Sequence, residues 1–233
     1  MNILVTGATK GIGKAICEIL GKEHNIFAAA RSNALLKTYQ NYCICDLATL
    51  DGMKKLGKYI EENKIDVLIN NAGEYIYSPI ENITSEQLEH ITKLNLEAPL
   101  YLTSKAVPYM KKSGFGRIIN IGSISGVLGE ANASLYSASK SGLIGASKAL
   151  ALELAEYGVT VNTINPGWVD TDMGNSSSND GDWSKEEVID CIPQKRFVSP
   201  DEIAGMVKYL LSDDAKGVTG QSINLCAGLS VGC

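Results

Sequence analysis

The sequence predicts an α/β protein in which one parallel sheet of about seven strands is covered by helices on both faces. Short apolar runs alternate with longer segments of helical periodicity along all 233 residues. This βαβα alternation is typical of a parallel sheet whose strands are buried on both sides. No linker, repeat or low-complexity tract interrupts it, so we expect a single doubly wound domain over residues 1–233.

The elements follow from the apolar patterns in chain order. The predicted strands are residues 3–6, 25–30, 42–45, 66–69, 118–121, 159–164 and 222–225. The predicted helices are residues 12–21, 50–63, 85–95, 99–112, 136–157 and 201–211. Between Arg31 and Asn41 the chain is too short for a full crossover helix, so we expect one or two helical turns there.

A second irregularity lies near the end of the chain. Residues 174–182 are polar and glycine-flanked, and they lead into Trp183 and a short amphipathic helix at 184–191. A loop of this length inside a compact domain is usually functional or disordered. We therefore expect residues 174–192 to form a lid over a substrate, with apolar side chains such as Val188 and Ile192 closing it.

The composition argues against several classes of protein. The net charge of −5 is unlike that of nucleic-acid-binding proteins, which present a basic face. No apolar run reaches membrane-spanning length, and the strand that follows Met1 leaves no space for a signal peptide. The six cysteines have no metal-ligand spacing, and we expect them to be reduced. These features predict a cytoplasmic protein without nucleic-acid, membrane or metal partners.

A glycine-rich turn follows the first predicted strand and opens the first predicted helix. It spans residues 6–13, with glycines at Gly7, Gly11 and Gly13. Glycine allows the backbone to turn tightly and to approach a pyrophosphate, whose charge is stabilised at a helix N-terminus. Glycines also occur in ordinary turns, but their position at the first βα junction predicts a dinucleotide site.

The end of the second strand indicates which dinucleotide binds. A site for NAD has Asp or Glu there to bond the ribose 2′-hydroxyl, whereas this chain has Arg31 after three alanines. Arg31 could bind a 2′-phosphate, and Lys10 projects from the glycine turn toward the same ribose. Either cation alone would be read as a solvated charge. The two together, with the missing acid, predict NADP(H).

A tyrosine and a lysine four residues apart predict proton-transfer chemistry. Tyr136 and Lys140 share one face of a predicted helix, and Ser123 lies thirteen residues before the tyrosine. A phenol ordinarily has a pKa of about 10, and a neighbouring ammonium favours its ionised form. We expect a pair tuned toward neutral pH that donates and accepts a proton, and hence a hydride-transfer enzyme.

With these motifs in order, the chain resembles the short-chain dehydrogenases/reductases over essentially its whole length. The motifs are Thr-Gly-x-x-x-Gly-x-Gly at 6–13, Asn-Asn-Ala-Gly at 70–73, a mid-helix asparagine at Asn95, Ser123 in Ile-Gly-Ser, Tyr-x-x-x-Lys at 136–140, and Pro166-Gly167 followed by Thr171. The resemblance implies a Rossmann-type fold, and a homodimer or homotetramer formed through the helices that match 98–112 and 136–157.

The resemblance also implies four catalytic residues. Tyr136 would protonate a carbonyl oxygen while the nicotinamide delivers hydride, and Ser123 would hydrogen-bond that oxygen. Lys140 would lower the pKa of Tyr136 and hold the nicotinamide ribose. Asn95 would position a water molecule that relays protons to Lys140.

The remaining implied residues contact the cofactor. Those at 46–47 would flank the adenine, those at 71 and 73 would pass under the adenosine ribose, and those at 169 and 171 would contact the nicotinamide amide. The whole predicted set is Gly7, Thr9, Lys10, Gly11, Ile12, Gly13, Arg31, Asp46, Leu47, Asn71, Ala72, Gly73, Tyr136, Lys140, Pro166, Gly167, Val169 and Thr171.

The segments 116–123 and 170–173 look most like those of β-ketoacyl carrier-protein reductases. The first hypothesis is therefore an NADPH-dependent reductase of a 3-oxoacyl thioester or a similar small carbonyl compound. The second is an NADP-dependent dehydrogenase of a sugar, polyol or steroid alcohol. The third is a cofactor-sensing protein without catalysis, which would be expected to have lost the tyrosine or the lysine.

Docking of an acyl carrier protein stays open at this point. Reductases of that type dock the acidic carrier with one basic residue before the fifth strand and another late in the long helix. The matching positions here are Gly114 and Tyr157, and Glu153 adds a negative charge nearby. Lys111 could compensate on one side, and rim charges mainly tune association rates.

Overall fold

In the computed structural model, which describes residues 1–32, 36–177 and 184–232, the strands form one parallel sheet. They are β1 Asn2–Thr6, β2 Asn25–Ala30, β3 Asn41–Ile44, β4 Val67–Asn70, β5 Gly116–Ile121, β6 Val159–Pro166 and β7 Ser222–Leu225. Their spatial order is β3-β2-β1-β4-β5-β6-β7, and every neighbouring pair is parallel. The predicted fold class is confirmed.

The helices lie between these strands. They are α1 Gly11–Leu20, α2 Leu50–Asn63, α3 Ser85–Thr92, α4 Ala98–Ser113, α5 Ser125–Leu128, α6 Ser134–Leu154, α7 Asp172–Ser177, α8 Lys185–Cys191 and α9 Pro200–Leu211. The short connection after β2 contains one 3₁₀ turn, Leu36–Thr38, as predicted. A π-helical turn, Lys93–Glu97, joins α3 to α4. Among the described helices none is long and apolar enough to cross a membrane.

Each face of the sheet buries its own apolar cluster. Side chains alternate between the two faces along a strand, so Ile3 packs with α1 and α9, whereas Leu4 packs with α2 and α4. Both side chains are fully buried. Because the interior strands are covered on both faces, they are apolar along most of their length, although β6 also buries Asn162 and Asn165.

The topology determines where a ligand can bind. From β1 the chain continues to β2 and β3 on one side, and from β4 it continues in the opposite direction. In sheets of this kind ligands bind outside the carboxyl ends of the strands, at the point where the order reverses. Here that point lies between β1 and β4, beside the glycine turn 6–13 that follows β1.

Candidate active site

A cavity of about 620 Å³ opens at this carboxyl edge. It is lined by most of the residues that the sequence predicted. These are Gly7, Thr9, Lys10, Gly11, Ile12, Arg31, Leu47, Asn71, Ala72, Gly73, Ser123, Tyr136, Lys140, Pro166, Gly167, Val169 and Thr171. Residues distant in sequence therefore meet in one cavity because the parallel strands that carry them end at the same edge.

Three predicted residues are not part of this lining among the described residues: Gly13, Asp46 and Asn95. Gly13 lies under the glycine turn, where an added Cβ would stand 2.3 Å from the carbonyl oxygen of Gly7. Asp46 is exposed and accepts a hydrogen bond from Ala48 N (3.0 Å). This hydrogen bond is that of a turn residue, and the contact of Asp46 with the adenine stays a prediction.

The glycine turn has the geometry that a phosphate site requires. Gly7 and Gly11 have φ angles of +67° and +51°, which side chains disfavour. Within the described residues no side chain caps the N-terminus of α1, so its first N–H groups stay available for an anion. Asn71 Nδ2 also donates to Thr6 O (2.8 Å), which ties the turn to the segment after β4.

The serine, tyrosine and lysine that were predicted to be catalytic converge from two elements. Ser123 follows β5, and Tyr136 and Lys140 lie one turn apart on α6. Lys140 is buried and its Nζ donates to the carbonyl oxygen of Ile121 (2.9 Å). That nitrogen lies 5.7 Å from the centroid of the Tyr136 ring. The side chains of Ser123 and Tyr136 are hydrogen-bonded to each other.

The pKa values differ in part from the sequence-based expectation. Burial lowers the pKa of Lys140 to about 8 and raises the pKa of Tyr136 to about 12. A hydrogen bond with Ser123 opposes that rise, while the charge of Glu130 adds to it. The expected lowering of the tyrosine pKa by Lys140 was wrong for this arrangement, because the ammonium is directed at a backbone carbonyl and desolvation of the phenolate outweighs it.

Asn95 lies behind the cavity wall, in the π-helical turn. It is buried, its Oδ1 accepts from Glu74 N (3.0 Å), and its Nδ2 donates to Glu74 O (2.9 Å) and Ser139 Oγ (3.2 Å). A Cβ added at Gly73 would lie 3.1 Å from Asn95 Oδ1 and 3.3 Å from Lys140 Nζ. In this structure Asn95 clamps the backbone that follows Asn-Asn-Ala-Gly against α6, and its role with a water molecule stays a prediction.

A polar network that was not predicted from the sequence lies beside Tyr136. Ser125 Oγ donates to one oxygen of Glu130 (2.6 Å), and Tyr75 OH donates to the other (2.7 Å). Ser123 Oγ donates to Ser125 Oγ (3.2 Å), and the Tyr75 ring packs edge-on against Tyr136, with centroids 5.1 Å apart. Glu130 is in a loop without periodicity, so no pattern in the sequence connects it with the catalytic group.

The partner of Arg31 was not predicted from the sequence either. Its Nη1 lies 2.7 Å from Glu74 Oε1, and Glu74 Oε2 lies 2.8 Å from His90 Nε2. Arg31, Lys10 and Glu74 all line the cavity. Glu74 directly follows the Asn-Asn-Ala-Gly motif, and this position is the one signal that could have pointed to it.

The expected lid is described only in part, because residues 178–183, including Trp183, lie outside the described residues. Met173 and Gly174 line the cavity, and Lys185 Nζ donates to Asn175 Oδ1 (2.8 Å), which joins α8 to α7. Ile192 is 1% exposed and packs in the core on the α1 and α9 face. It therefore belongs to the core rather than to a set of side chains free to close.

Comparison with known proteins gives a consistent result. A family model described as short chain dehydrogenase matches residues 1–182. The chain is 38% identical to nodulation protein G of Azospirillum brasilense, with 97% of each chain covered. It is 36% identical to the 3-oxoacyl-[acyl-carrier-protein] reductase FabG of Buchnera aphidicola subsp. Schizaphis graminum, covering 97% of this chain and 96% of the relative.

Solved structures are similar over nearly the whole chain. A variant of actinorhodin polyketide ketoreductase with NADPH has a TM-score of 0.92 at 36% identity, covering 99% of this chain and 97% of that one. A proposed NAD(P)-dependent gluconate 5-dehydrogenase from Beutenbergia cavernae with bound NADP has a TM-score of 0.92 at 30% identity, covering 98% and 96%.

Proposed function

The chain belongs to the short-chain dehydrogenase family, and we propose that it reduces a carbonyl group to a hydroxyl with NADPH as hydride donor. As a member of this family it is an NAD(P)-dependent oxidoreductase that acts on CH–OH groups. The observation that carries the proposal is the convergence of Ser123, Tyr136 and Lys140 with the glycine turn 6–13 in one cavity.

The residues of the cavity fit a phosphorylated dinucleotide. The uncapped N-terminus of α1 and the two left-handed glycines suit a pyrophosphate, and the similar structures carry NADPH or NADP. Arg31 and Lys10 would hold the 2′-phosphate. Lys140 would hold the nicotinamide ribose, and Val169 and Thr171 the amide. When bound, NADPH supplies the hydride.

Tyr136 is proposed as the general acid. With its pKa raised to about 12, the phenol keeps its proton at neutral pH and can donate it to a carbonyl oxygen as charge develops there. The Ser123 hydroxyl donates a hydrogen bond to the same oxygen. Lys140, whose pKa is about 8, is mostly protonated at pH 7 and stabilises the phenolate that remains. These protonation states favour reduction over oxidation.

The proposed substrate is a 3-oxoacyl thioester or a similar small ketone. Support comes from the ketoacyl reductases among the relatives. Docking of an acyl carrier protein has weaker support, because Lys111 lies 3.8 Å from Glu153 and 4.5 Å from the centroid of the Tyr157 ring. The positive charge of Lys111, which could attract an acidic carrier protein, is thus already partly neutralised by Glu153.

A second candidate is an NADP-dependent dehydrogenase of a sugar or polyol. The likeness to a proposed gluconate 5-dehydrogenase favours it, and so does Glu130 in the cavity lining. A carboxylate there can accept hydrogen bonds from several hydroxyl groups. In that case Tyr136 would act as the base and accept the proton of an alcohol.

We further propose a homodimer or homotetramer formed through α4 and α6. Leu100 on α4 is 38% exposed and Leu152 on α6 is 86% exposed. A Cβ added at Gly145 would meet no described atom within 4 Å, so this face of α6 is open to a partner helix. We also propose that the protein works in the cytoplasm, where its free cysteines stay reduced.

We also propose that residues 1–233 form a single domain with a lid over the substrate end of the cavity. We propose that residues 174–192 bound the substrate end of the cavity, since Met173 and Gly174 line it and the Lys185–Asn175 hydrogen bond connects α8 to that lining. Residues 178–183 of this segment lie outside the described residues.

The test is a cofactor assay over a panel of substrates in both directions. Acetoacetyl thioesters, diketones, sugars, polyols and steroids are compared by kcat/KM with NADPH or NADP⁺. We expect the highest value for reduction of a 3-oxoacyl thioester. Faster oxidation of a polyol would favour the second candidate. Tight binding of NADPH without turnover of any compound would favour a cofactor-sensing protein.

A further inference from the structure

We propose that Glu74 weakens the binding of NADPH selectively, because its carboxylate competes with the 2′-phosphate for the guanidinium of Arg31. This inference rests on the proposed function, in which Arg31 binds that phosphate. It makes Glu74, which belongs to none of the motifs, a residue that sets the affinity for one cofactor relative to the other.

The first step is the position of the ion pair. Arg31 directly follows β2, and Glu74 lies four residues after the end of β4. In the sheet β1 lies between β2 and β4. The pair, at 2.7 Å, therefore spans the end of β1 and the glycine turn that begins there, within the cavity proposed for the dinucleotide.

The second step concerns which partner moves. Glu74 is held on three sides, because its second oxygen lies 2.8 Å from His90 Nε2 and both its backbone N–H and its carbonyl are bonded to Asn95. The Arg31 side chain is 57% exposed, compared with 32% for Glu74. Arg31 is therefore the member free to leave, and Glu74 remains in place as its alternative partner.

The third step is the difference between the two cofactors. The 2′-phosphate has geometry and charge that suit a guanidinium better than a single carboxylate contact does, so Arg31 exchanges partners when NADPH binds. Breaking the Arg31–Glu74 pair offsets part of the free energy of NADPH binding. The Glu74 carboxylate then lies near the negatively charged 2′-phosphate. NADH has no 2′-phosphate and so offers Arg31 no replacement for the Glu74 carboxylate. Glu74 therefore acts against NADPH alone.

The experiment measures dissociation constants for NADPH and NADH by calorimetry in the wild type, Glu74→Gln, Arg31→Ala and the double variant. Glutamine keeps the shape of the side chain and removes the charge. We expect Glu74→Gln to tighten NADPH binding roughly twofold to fivefold, in line with exposed ion pairs, with NADH unchanged. In the Arg31→Ala background the same substitution should have no effect.

A second variant and a control distinguish the charge of Glu74 from its direct contact with Arg31. Glu74→Asp keeps the charge but shortens the side chain, so it should also tighten NADPH binding if the pairing matters. Glu130→Gln removes a carboxylate from the same cavity lining, and Glu130 pairs with no basic side chain in the described part of the chain. The ratio of the two dissociation constants should not change in this control.

The outcomes distinguish this inference from the function on which it rests. If Glu74→Gln weakens NADPH binding, Glu74 orients Arg31 for the phosphate and the inference is overturned. An equal tightening for NADH, or the same tightening without Arg31, also overturns it. If Arg31→Ala leaves the ratio of the two dissociation constants as in the wild type, it is instead the proposed role of Arg31 that fails.

Discussion

The floor and the rim of the cavity hold their polar groups in different ways. The floor comprises Ser123, Tyr136 and Lys140 in the cavity lining, together with Asn95 directly behind it. The rim comprises Arg31, Glu74, Asn175 and Lys185. On the floor three of the four side chains are at most 8% exposed, and backbone groups are among their partners. On the rim the partners are other side chains at the surface.

This difference determines what each region can do. A buried polar group without a partner is costly, so the floor has one arrangement that is fixed by packing. Exposed ion pairs contribute about 0–1 kcal/mol, so the rim can exchange its partners for those of a ligand. We expect substitutions on the floor to affect catalysis strongly and those on the rim to affect binding more moderately.

The largest expected effect comes from Tyr136→Phe. This substitution keeps the ring that packs against Tyr75 but removes the transferable proton. Turnover should fall by about 10²–10⁴-fold, while the dissociation constant for NADPH stays close to that of the wild type. Steady-state kinetics and a binding titration check this, and near-normal turnover would show that another group is the acid.

The second-largest effect is expected at the rim. Arg31→Ala should raise the KM for NADPH roughly tenfold to a hundredfold, the value of a charge-assisted hydrogen bond, and should change the KM for NADH little. Kinetics with both cofactors under identical conditions measure this. Equal losses for both cofactors would mean that Arg31 has no specific contact with the 2′-phosphate.

A pH-dependent effect tests how the floor is built. The pKa of Lys140 is about 8 in the folded protein and ~10.4 in an unfolded chain. Between these values the unfolded state binds more protons, so stability rises with pH. The cost of burying the ammonium is fully present below pH 8. From pH 7 to 9.5 the wild type should gain about 2 kcal/mol relative to Lys140→Met.

Chemical denaturation of both proteins at the two pH values measures this gain. Lys140→Met also leaves the carbonyl oxygen of Ile121 without its donor, but that loss does not depend on pH and cancels in the comparison. The raised pKa of Tyr136 acts only above pH ~10. Parallel pH profiles for the two proteins would contradict a depressed lysine pKa.

The smallest expected effect is at the substrate end of the rim. Lys185→Gln shortens the side chain that joins α8 to Asn175, so the KM for the carbonyl substrate should rise roughly twofold to fivefold, the range of a single exposed hydrogen bond. NADPH affinity should not change. Lys54→Gln, at an exposed position on α2 outside the proposed subunit interface, is the control. A loss of turnover at unchanged KM would instead connect Lys185 with the floor.

Part of the cavity could be predicted from local patterns, whereas Asn95 and the role of Ser123 came from the resemblance to the family. The four-residue spacing of Tyr136 and Lys140 on a helix, and the glycines after the first strand, each have a geometric meaning that does not depend on the rest of the fold. The parallel pairing of the strands also followed from the alternation of strands and helices, because parallel strands need crossover connections; their order in the sheet came only from the structure.

The direction of the tyrosine pKa was not predictable in this way. The sequence placed an ammonium near a phenol, which is observed, but the hydrogen bond of Lys140 to Ile121 and the burial of the phenol arise from β5 and from the loop after it. The sign of the shift is a balance between charge and desolvation. Only the packed structure shows how far the phenol is desolvated.

By itself the sequence determined the fold class, the position of the dinucleotide turn and the helical spacing that brings Tyr136 and Lys140 together, since each depends on short-range periodicity or on a single turn. The tertiary structure alone decided that Glu74 pairs with Arg31 across β1 and that Glu130 joins Tyr75 to Ser125. Arg31 and Glu74 are 43 positions apart in the sequence, and Tyr75 and Glu130 are 55 positions apart. Ser125 is close to Glu130 in the sequence, but Glu130 lies in an irregular loop. Such contacts have no periodic signature, because they depend on which strands become neighbours.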